Sequence, residues 1–261
     1  HKPDALYSYE EKPMKAAAVI LAAGRGSRMK ELTANQPKCL AMLAGKPLLH
    51  WQLQALRAAG IGRICVVRGY AAHCLSGNFE TAENPRWAET NMLSSLMCAD
   101  AFSMDVFSHG VERLIISYSD IVYHPDHVQN LLACAQSIGI TYDTQWAALW
   151  GLRFDNVLLD AETFRQENGL LKEIGGKPKS IDEIHGQYMG LLCCDSIGWK
   201  TICDVYADLG SAADRTDMTS FLRLLLTKNI PIGVVPVDGK WCEVDSNTDI
   251  KQYEKALIYG N

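Results

Sequence analysis

Short apolar runs alternate along the chain with longer stretches in which apolar residues return every three or four positions. Ala16–Leu21 (AAAVIL) reads as a buried strand. Pro47–Ala59 (PLLHWQLQALRAA) has apolar residues at helical spacing and stops at Gly60, a C-cap signal. Ile64–Val67 predicts the next strand, Ser94–Phe102 a helix, and Arg113–Ser117 (RLIIS) a strand running out at Tyr118-Ser119-Asp120. Pro125–Gln136 predicts a helix whose first turn holds Pro125 and Asp126, both favourable there. Such alternation implies right-handed crossovers and a mostly parallel sheet.

The second half changes character. Ala147–Leu149, Gly169–Ile174 and Gln187–Cys194 read as short strands separated by turn residues, which fits hairpins better than further βαβ units. Asp217 is placed to cap a helix over Met218–Thr227, Pro231–Val237 reads as a strand, and Asp249–Ile258 as a closing helix. No repeat or Pro/Ser-rich linker interrupts the pattern. The expectation is an α/β fold, Rossmann-like, with a mostly parallel mixed sheet flanked by helices and a small β-hairpin region, forming a single domain over residues 14–261. Residues 1–13 precede the natural-looking start at Met14 and read as an N-terminal extension, a tag remnant or the edge of a larger fusion.

Composition narrows the classes. The 261 residues suffice for one large core, and the net charge of −5 argues against general nucleic-acid binding while leaving room for a local basic pocket. No run reaches the length of a membrane span and no secretion signal opens the chain, so a cytoplasmic protein is expected. The nine cysteines are scattered without a C-x-x-C pair and read as reduced core residues. Cys193 and Cys194, adjacent in a strand, point to opposite faces. His124-x-x-His127 lacks a third ligand at helical spacing, so no zinc site is expected.

The chemistry concentrates in Leu21–Leu40 (LAAGRGSRMKELTANQPKCL). A glycine loop after a buried strand lets backbone N–H groups approach phosphate oxygens. A Rossmann site would need a third glycine after Gly24-Arg25-Gly26-Ser27-Arg28-Met29 and an acid ending the second strand, where Arg68-Gly69-Tyr70 stands instead. No P-loop string occurs. Two arginines suit bidentate contact with a triphosphate, and Pro37 restricts the backbone before Lys38, a compact charge for a reacting phosphate. A divalent cation would need carboxylates at strand ends; Asp120 and Asp245 occupy such settings.

The string L-A-A-G-x-G-S-R-M followed by P-K resembles the signature of nucleotidyltransferases that activate sugar phosphates and phospho-alcohols. The chain looks most like the small cytidylyltransferases acting on phosphocholine or phosphonates. That resemblance implies the nucleotidyltransferase fold, CTP as donor and Mg²⁺ as cofactor. It implies a nucleotide-binding stretch of Leu21, Ala22, Ala23, Gly24, Arg25, Gly26, Ser27 and Arg28, in which Gly24, Gly26 and Arg28, with Arg25 as a further candidate, hold the triphosphate, and that Lys38 contacts the reacting centre. Asp120 and Asp245, the latter in the E-V-D-S motif, would bind the metal, and Asp249 to Tyr253 echoes the D-x-x-x-[YL] stretch that follows. Asn84–Leu96 resembles the family's segment near cytosine and ribose, making Asn91, Ser94 and Ser95 candidates for nucleotide contact; Asn91 fits a helix cap equally well. Trp146 falls where the family places an aromatic near choline, yet Trp146 and Trp150 also fit a core pair. Trp150, Arg153 and Gln187 complete the acceptor candidates, with Arg153, Asp160 and Glu162 read as surface charges or head-group contacts.

The expected reaction is therefore Mg²⁺-dependent transfer of CMP from CTP to a small phosphonate or phospho-alcohol, with release of pyrophosphate. Lys38, Arg28, Asp120 and Asp245 are its expected catalytic residues. A hexose-1-phosphate nucleotidyltransferase using UTP or dTTP, and a non-catalytic nucleotide sensor, are the alternatives. No nucleic-acid or membrane partner is expected, and a fusion partner domain or homo-oligomer stays open.

Overall fold

Six of the seven residues of β1 (Ala16–Ala22) are buried because this strand runs through the middle of a sheet covered on both faces. A computed structural model of the chain describes residues 15–256; the expected extension 1–13, Met14 and the end of the closing helix lie outside the described residues. Two short strands, β2 (Met42–Leu43) and β3 (Lys46–Pro47), form a hairpin before helix α1 (Leu48–Ala58). Next come β4 (Arg63–Arg68), β5 (Glu80–Glu83), α2 (Met92–Met97), α3 (Asp100–Ser108), β6 (Arg113–Tyr118), β7 (Ile121–Tyr123) and α4 (Pro125–Leu132). The second half contains β8 (Ile138–Asp143), α5 (Trp146–Arg153), β9 (Phe164–Glu167), β10 (Leu170–Ile174) and β11 (Gln187–Cys194). It closes with α6 (Ser196–Leu209), α7 (Met218–Thr227), β12 (Gly233–Val237), β13 (Trp241–Glu243) and α8 (Asn247–Ala256).

Nine strands make one sheet in the order β5–β4–β1–β6–β11–β8–β12–β10–β9. The first four are parallel, β11 runs against both its neighbours, β8 and β12 are parallel, and β9–β10 is the expected hairpin at the far edge. Alternate residues of β1 face different layers. Ala18 and Ile20 share one core layer with Leu49 and Leu56 of α1, Leu131 of α4 and Tyr253 of α8; Ala17 and Val19 lie in the other with Leu96 of α2, Trp199 of α6 and Phe221 of α7. Cys193 and Cys194 fall in opposite layers as expected, and all nine cysteines are free. Among the described residues, no helix is long and apolar enough to cross a membrane.

Four sequence readings need correction. The helix expected over Ser94–Phe102 is two helices, α2 and α3, broken at Cys98-Ala99, with Asp100 starting the second at a favourable helix N-terminus. Ala147–Leu149 lies inside α5, because Trp146, Leu149, Trp150 and Arg153 make an i, i+3, i+4, i+7 stripe. The strand in that region is β8, whose six residues are all buried. The helix read as Pro125–Gln136 stops at Leu132, and α6, capped by the Asp195 side chain on Gly198 N at 2.8 Å, was not anticipated.

In the register of β1, Leu21 pairs with Val67 on one side and Tyr118 on the other. The loop after β1 and the residues after β6 therefore emerge side by side at the carboxyl edge of the parallel strands, where α/β sheets collect ligand-binding groups.

Candidate active site

The loop leaving β1 is shaped around one lysine. Gly26 sits at φ +70°, and a Cβ there would lie 2.7 Å from Lys38 Cβ and Cδ. Glycine is needed both for the left-handed backbone and for the space the lysine stem fills. Pro37 is extended, at φ −63° and ψ 151°, and delivers Lys38 into a 3₁₀ turn closed by Leu40 N to Pro37 O at 3.0 Å. Lys38 is only 8% exposed, so its ammonium needs partners. It finds Asp120 Oδ2 at 3.1 Å and Asp245 Oδ1 at 3.2 Å. Burial works against its charge, but the two carboxylates outweigh that and raise its pKa.

A small ladder brings those carboxylates together. β7, directly after Asp120, pairs antiparallel with β13, which ends two residues before Asp245, and Val244 N donates to Asp120 O at 2.8 Å. Asp120, Glu243 and Asp245 each offer an oxygen within 4.8 Å of the others. Beneath them, with its side chain 2% exposed, Arg153 donates to Asp245 Oδ2 at 2.9 Å and Asp249 Oδ1 at 3.2 Å, and lies 3.4 Å from Glu243 Oε2. Asp249 accepts from the backbone N–H of Asp245 at 2.9 Å and of Ser246 at 3.2 Å, and the Tyr253 hydroxyl donates to Glu243 O. The stretch Asp249 to Tyr253 thus anchors the loop carrying the carboxylates.

The charges within this cluster pull in different directions. Burial, then Asp120 and Asp245, push the Glu243 carboxyl up to about 8. Burial acts the same way on Asp245, but Lys38, Arg28 and Arg153 overcome it and hold that carboxyl below its ordinary value. Asp120 Oδ1 is buried and has no hydrogen-bond partner among the described residues. An orphaned carboxylate oxygen beside two further carboxylates is a donor set for a hard divalent cation, and the residues fit Mg²⁺.

Cavities open on both sides of the cluster. One, of about 210 Å³, is lined by Leu21, Ala23, Gly24, Gly26 and Lys38 and walled by Trp87, Thr90, Asn91 and Ser95. Asn91 also caps α2, its Oδ1 accepting from Met92 N at 2.7 Å, as the cap reading expected. Ser94 turns away and donates to Asp214 Oδ1 at 2.8 Å. Ala22 packs in the opposite core layer, Ser27 opens an exposed 3₁₀ turn, and Arg25 lies over the Tyr70 ring at 5.1 Å. The second cavity, of about 250 Å³, includes Arg28, Trp150, Gln187, Glu243 and Asp245. Trp146 is not in its lining and packs edge-on against Trp150 at 6.2 Å. Arg28 donates to Asp245 Oδ1 at 3.1 Å with its side chain 76% exposed.

A family model described as the MobA-like NTP transferase domain matches residues 18–182. The chain belongs to this family. It is also 37% identical over 255 residues to the CTP:phosphoglutamine cytidylyltransferase of Campylobacter jejuni, covering 91% of this chain and 99% of that protein. The 2-aminoethylphosphonate cytidylyltransferase of Lancefieldella rimae is 35% identical over 120 residues, 44% of this chain and 46% of that one. The fold matches that of the inositol-1-phosphate CTP transferase from T. maritima with a TM-score of 0.69 and 17% identity, covering 94% and 96% of the two chains.

In this NTP transferase, sequence reasoning missed Glu243 as a partner of the two aspartates. A periodicity signal was available, since Glu243 and Asp245 are two apart in extended chain and share a face. It also missed Trp87 and Thr90 in the first cavity, and Tyr118 and Tyr188 in the second. Among the described residues, His124 and His127 belong to no group of three potential metal ligands; they cap α4. Chemically, Lys38 and the backbone of Gly24 and Gly26 are the groups of the first cavity's lining suited to an anion.

Proposed function

We propose that this NTP transferase moves a cytidylyl group from CTP to a small acceptor bearing a phosphate or phosphonate, with Mg²⁺ and with release of pyrophosphate. The observation that carries the reading is the position of Lys38, Asp120 and Asp245 between two cavities, one walled by the glycine loop and one by β11 and its neighbours. The nature of the relatives supports cytosine as the base: the similar proteins from Campylobacter jejuni and Lancefieldella rimae are both cytidylyltransferases.

The acceptor oxygen is already anionic, so the reaction needs no protein base; alignment and charge neutralisation carry it. Asp120 and Asp245, with Glu243 beside them, would hold the metal, which when bound neutralises phosphate charge at the reacting phosphorus. Lys38 transfers its ammonium from carboxylate to phosphate as charge builds there. Arg28, exposed at the cavity's edge, meets the leaving pyrophosphate together with the backbone N–H groups of the loop. Arg153 does not touch substrate; it keeps the carboxylates in place.

A Mg²⁺-dependent pyrophosphate-release assay crossing the four NTPs with phosphonates, phosphorylated amines and amides, and sugar phosphates tests the reading. Release with CTP and a small acceptor is expected, and Lys38→Ala should lower kcat by about 100-fold or more in a folded protein. Release confined to UTP or dTTP with a hexose phosphate would overturn the cytidylyl assignment. Near-normal turnover by Lys38→Ala would remove Lys38 from the mechanism.

A further inference from the structure

We infer that Asp143 is a positioning residue for the transfer. Its buried carboxyl group fixes the helix that carries Arg153 and the strand that leads to Glu243 and Asp245 relative to each other. The inference rests on the proposed reaction in one respect, that those carboxylates hold the metal.

Asp143 ends β8 and is 1% exposed. A carboxyl group at that depth needs hydrogen-bond partners, and it takes three N–H groups. Oδ1 accepts from Gln145 N at 2.8 Å and Gly239 N at 3.0 Å, and Oδ2 accepts from Trp241 Nε1 at 2.7 Å. Gln145 immediately precedes α5, the helix of Arg153. Gly239 and Lys240 turn the chain from β12 into β13 with left-handed φ values of +65° and +60°, and Trp241 is the first residue of β13. A lysine in that region persists only where its surroundings hold it.

The shortness of β13 makes such an anchor necessary. Its three residues pair with β7 as Trp241–Tyr123, Cys242–Val122 and Glu243–Ile121. A ladder of that length specifies its register weakly, and a slip of one residue would turn Glu243 away from Asp120. The far end is held by α8, through Tyr253 on Glu243 O and Asp249 on Asp245 N. Asp143 holds the near end. The buried Trp241 ring carries the constraint across to α5, lying 6.1 Å from the ring of Trp150, over which the Arg153 guanidinium sits at 5.7 Å. Arg153 closes the circuit on Asp245 at 2.9 Å. Asp143 itself lines neither cavity.

Asp143→Asn tests this selectively. The carboxamide oxygen can still accept from Gln145 N and Gly239 N, while the amide N–H groups face the Trp241 indole N–H, donor against donor. Trp241→Phe removes that donor and keeps an aromatic ring. In Asp143→Asn, kcat should fall about tenfold, and Mn²⁺ binding, read from the electron paramagnetic resonance of the free ion, should weaken about tenfold. Calorimetric affinity for CTP without metal should stay within about twofold, since the glycine loop is untouched. Added to Trp241→Phe, Asp143→Asn should cost less than about twofold more, because the opposed donors are gone. Circular dichroism checks each fold; if Asp143→Asn does not fold, Trp241→Phe decides by the same loss of kcat and Mn²⁺ affinity. Unchanged kcat and Mn²⁺ affinity in either folded variant, an equal loss of metal-free CTP affinity, or no Mn²⁺ binding by the wild-type protein would overturn the inference. Wild-type protein that binds Mn²⁺ yet releases no pyrophosphate from CTP sinks the transfer reading alone, and the Mn²⁺ affinities then decide the role of Asp143.

Discussion

At the scale of single residues, the site depends on how closely one lysine is packed. The stem of Lys38 occupies the volume that any side chain on Gly26 would take, at 2.7 Å. Gly26→Ala therefore combines left-handed strain of about 1 kcal/mol with displacement of the ammonium from Asp120 and Asp245. Turnover should fall at least tenfold while the thermal midpoint moves by only a few degrees; an unchanged kcat in that variant would show that the lysine position tolerates the shift. Gly24 differs, because nothing stands within 4 Å of its would-be Cβ. Arg153 is the other residue on which the cluster depends. Its side chain is 2% exposed and faces three carboxylates, so Arg153→Met leaves buried anions unpaired. Removing one partner of such a set costs about 3–5 kcal/mol, which urea denaturation at neutral pH would read directly. A loss below about 1 kcal/mol would mean that the carboxylates find other partners.

At the scale of elements, α4 starts on two histidines that both act as acceptors. His124 Nδ1 accepts from Asp126 N at 3.1 Å, and His127 Nδ1 lies 3.4 Å from His124 N. Burial, then the neighbouring His124, lowers His127 from 6.5 to about 4. A histidine whose folded pKa is depressed stabilises the fold fully above its unfolded value and loses that contribution as pH falls from 6.5 toward 4. The total is about 3 kcal/mol, and His127→Gln should flatten the acid limb of stability against pH across that window. An unaltered acid limb would place the proton elsewhere. The elements also show what the chain revealed in advance. β1, α1, β6, β11 and α7 could be read because each joins a clean apolar period to a stop signal. The β7–β13 ladder could not, since three-residue strands pairing Ile121–Tyr123 with Trp241–Glu243 have no local pattern that specifies a distant partner. For the same reason Asp120 and Asp245 were legible as separate candidates, Glu243 had only its two-residue spacing from Asp245 to mark it, and the place of Arg153 beneath them emerged only from tertiary packing.

At the scale of the whole molecule, the charges that meet at the centre come from remote parts of the chain: Lys38 after β1, Asp120 after β6, Arg153 from α5 and Asp245 after β13. Without substrate, Lys38, Arg28 and Arg153 face Asp120, Asp245 and Asp249, and the Glu243 carboxyl beside them is pushed up to about 8, so the charges offset one another at neutral pH. Arg153 has no exit, but Arg28 is 76% exposed on its side chain and Lys38 borders the first cavity. An ammonium about 4 Å from a divalent cation costs about 8 kcal/mol at an effective dielectric of 20, so a bound divalent ion would compete with Lys38 for the same carboxylate oxygens. A triphosphate removes the competition by giving Lys38 and Arg28 anionic partners of its own. Metal and nucleotide should then favour each other's binding, reciprocally. The sharpest check needs no turnover: Lys38→Met should tighten Mn²⁺ binding to the nucleotide-free protein by about tenfold, read from the electron paramagnetic resonance of free Mn²⁺. Weaker or unchanged Mn²⁺ binding would mean that the lysine supports the metal site and does not guard it, and that the order of substrate entry is set elsewhere.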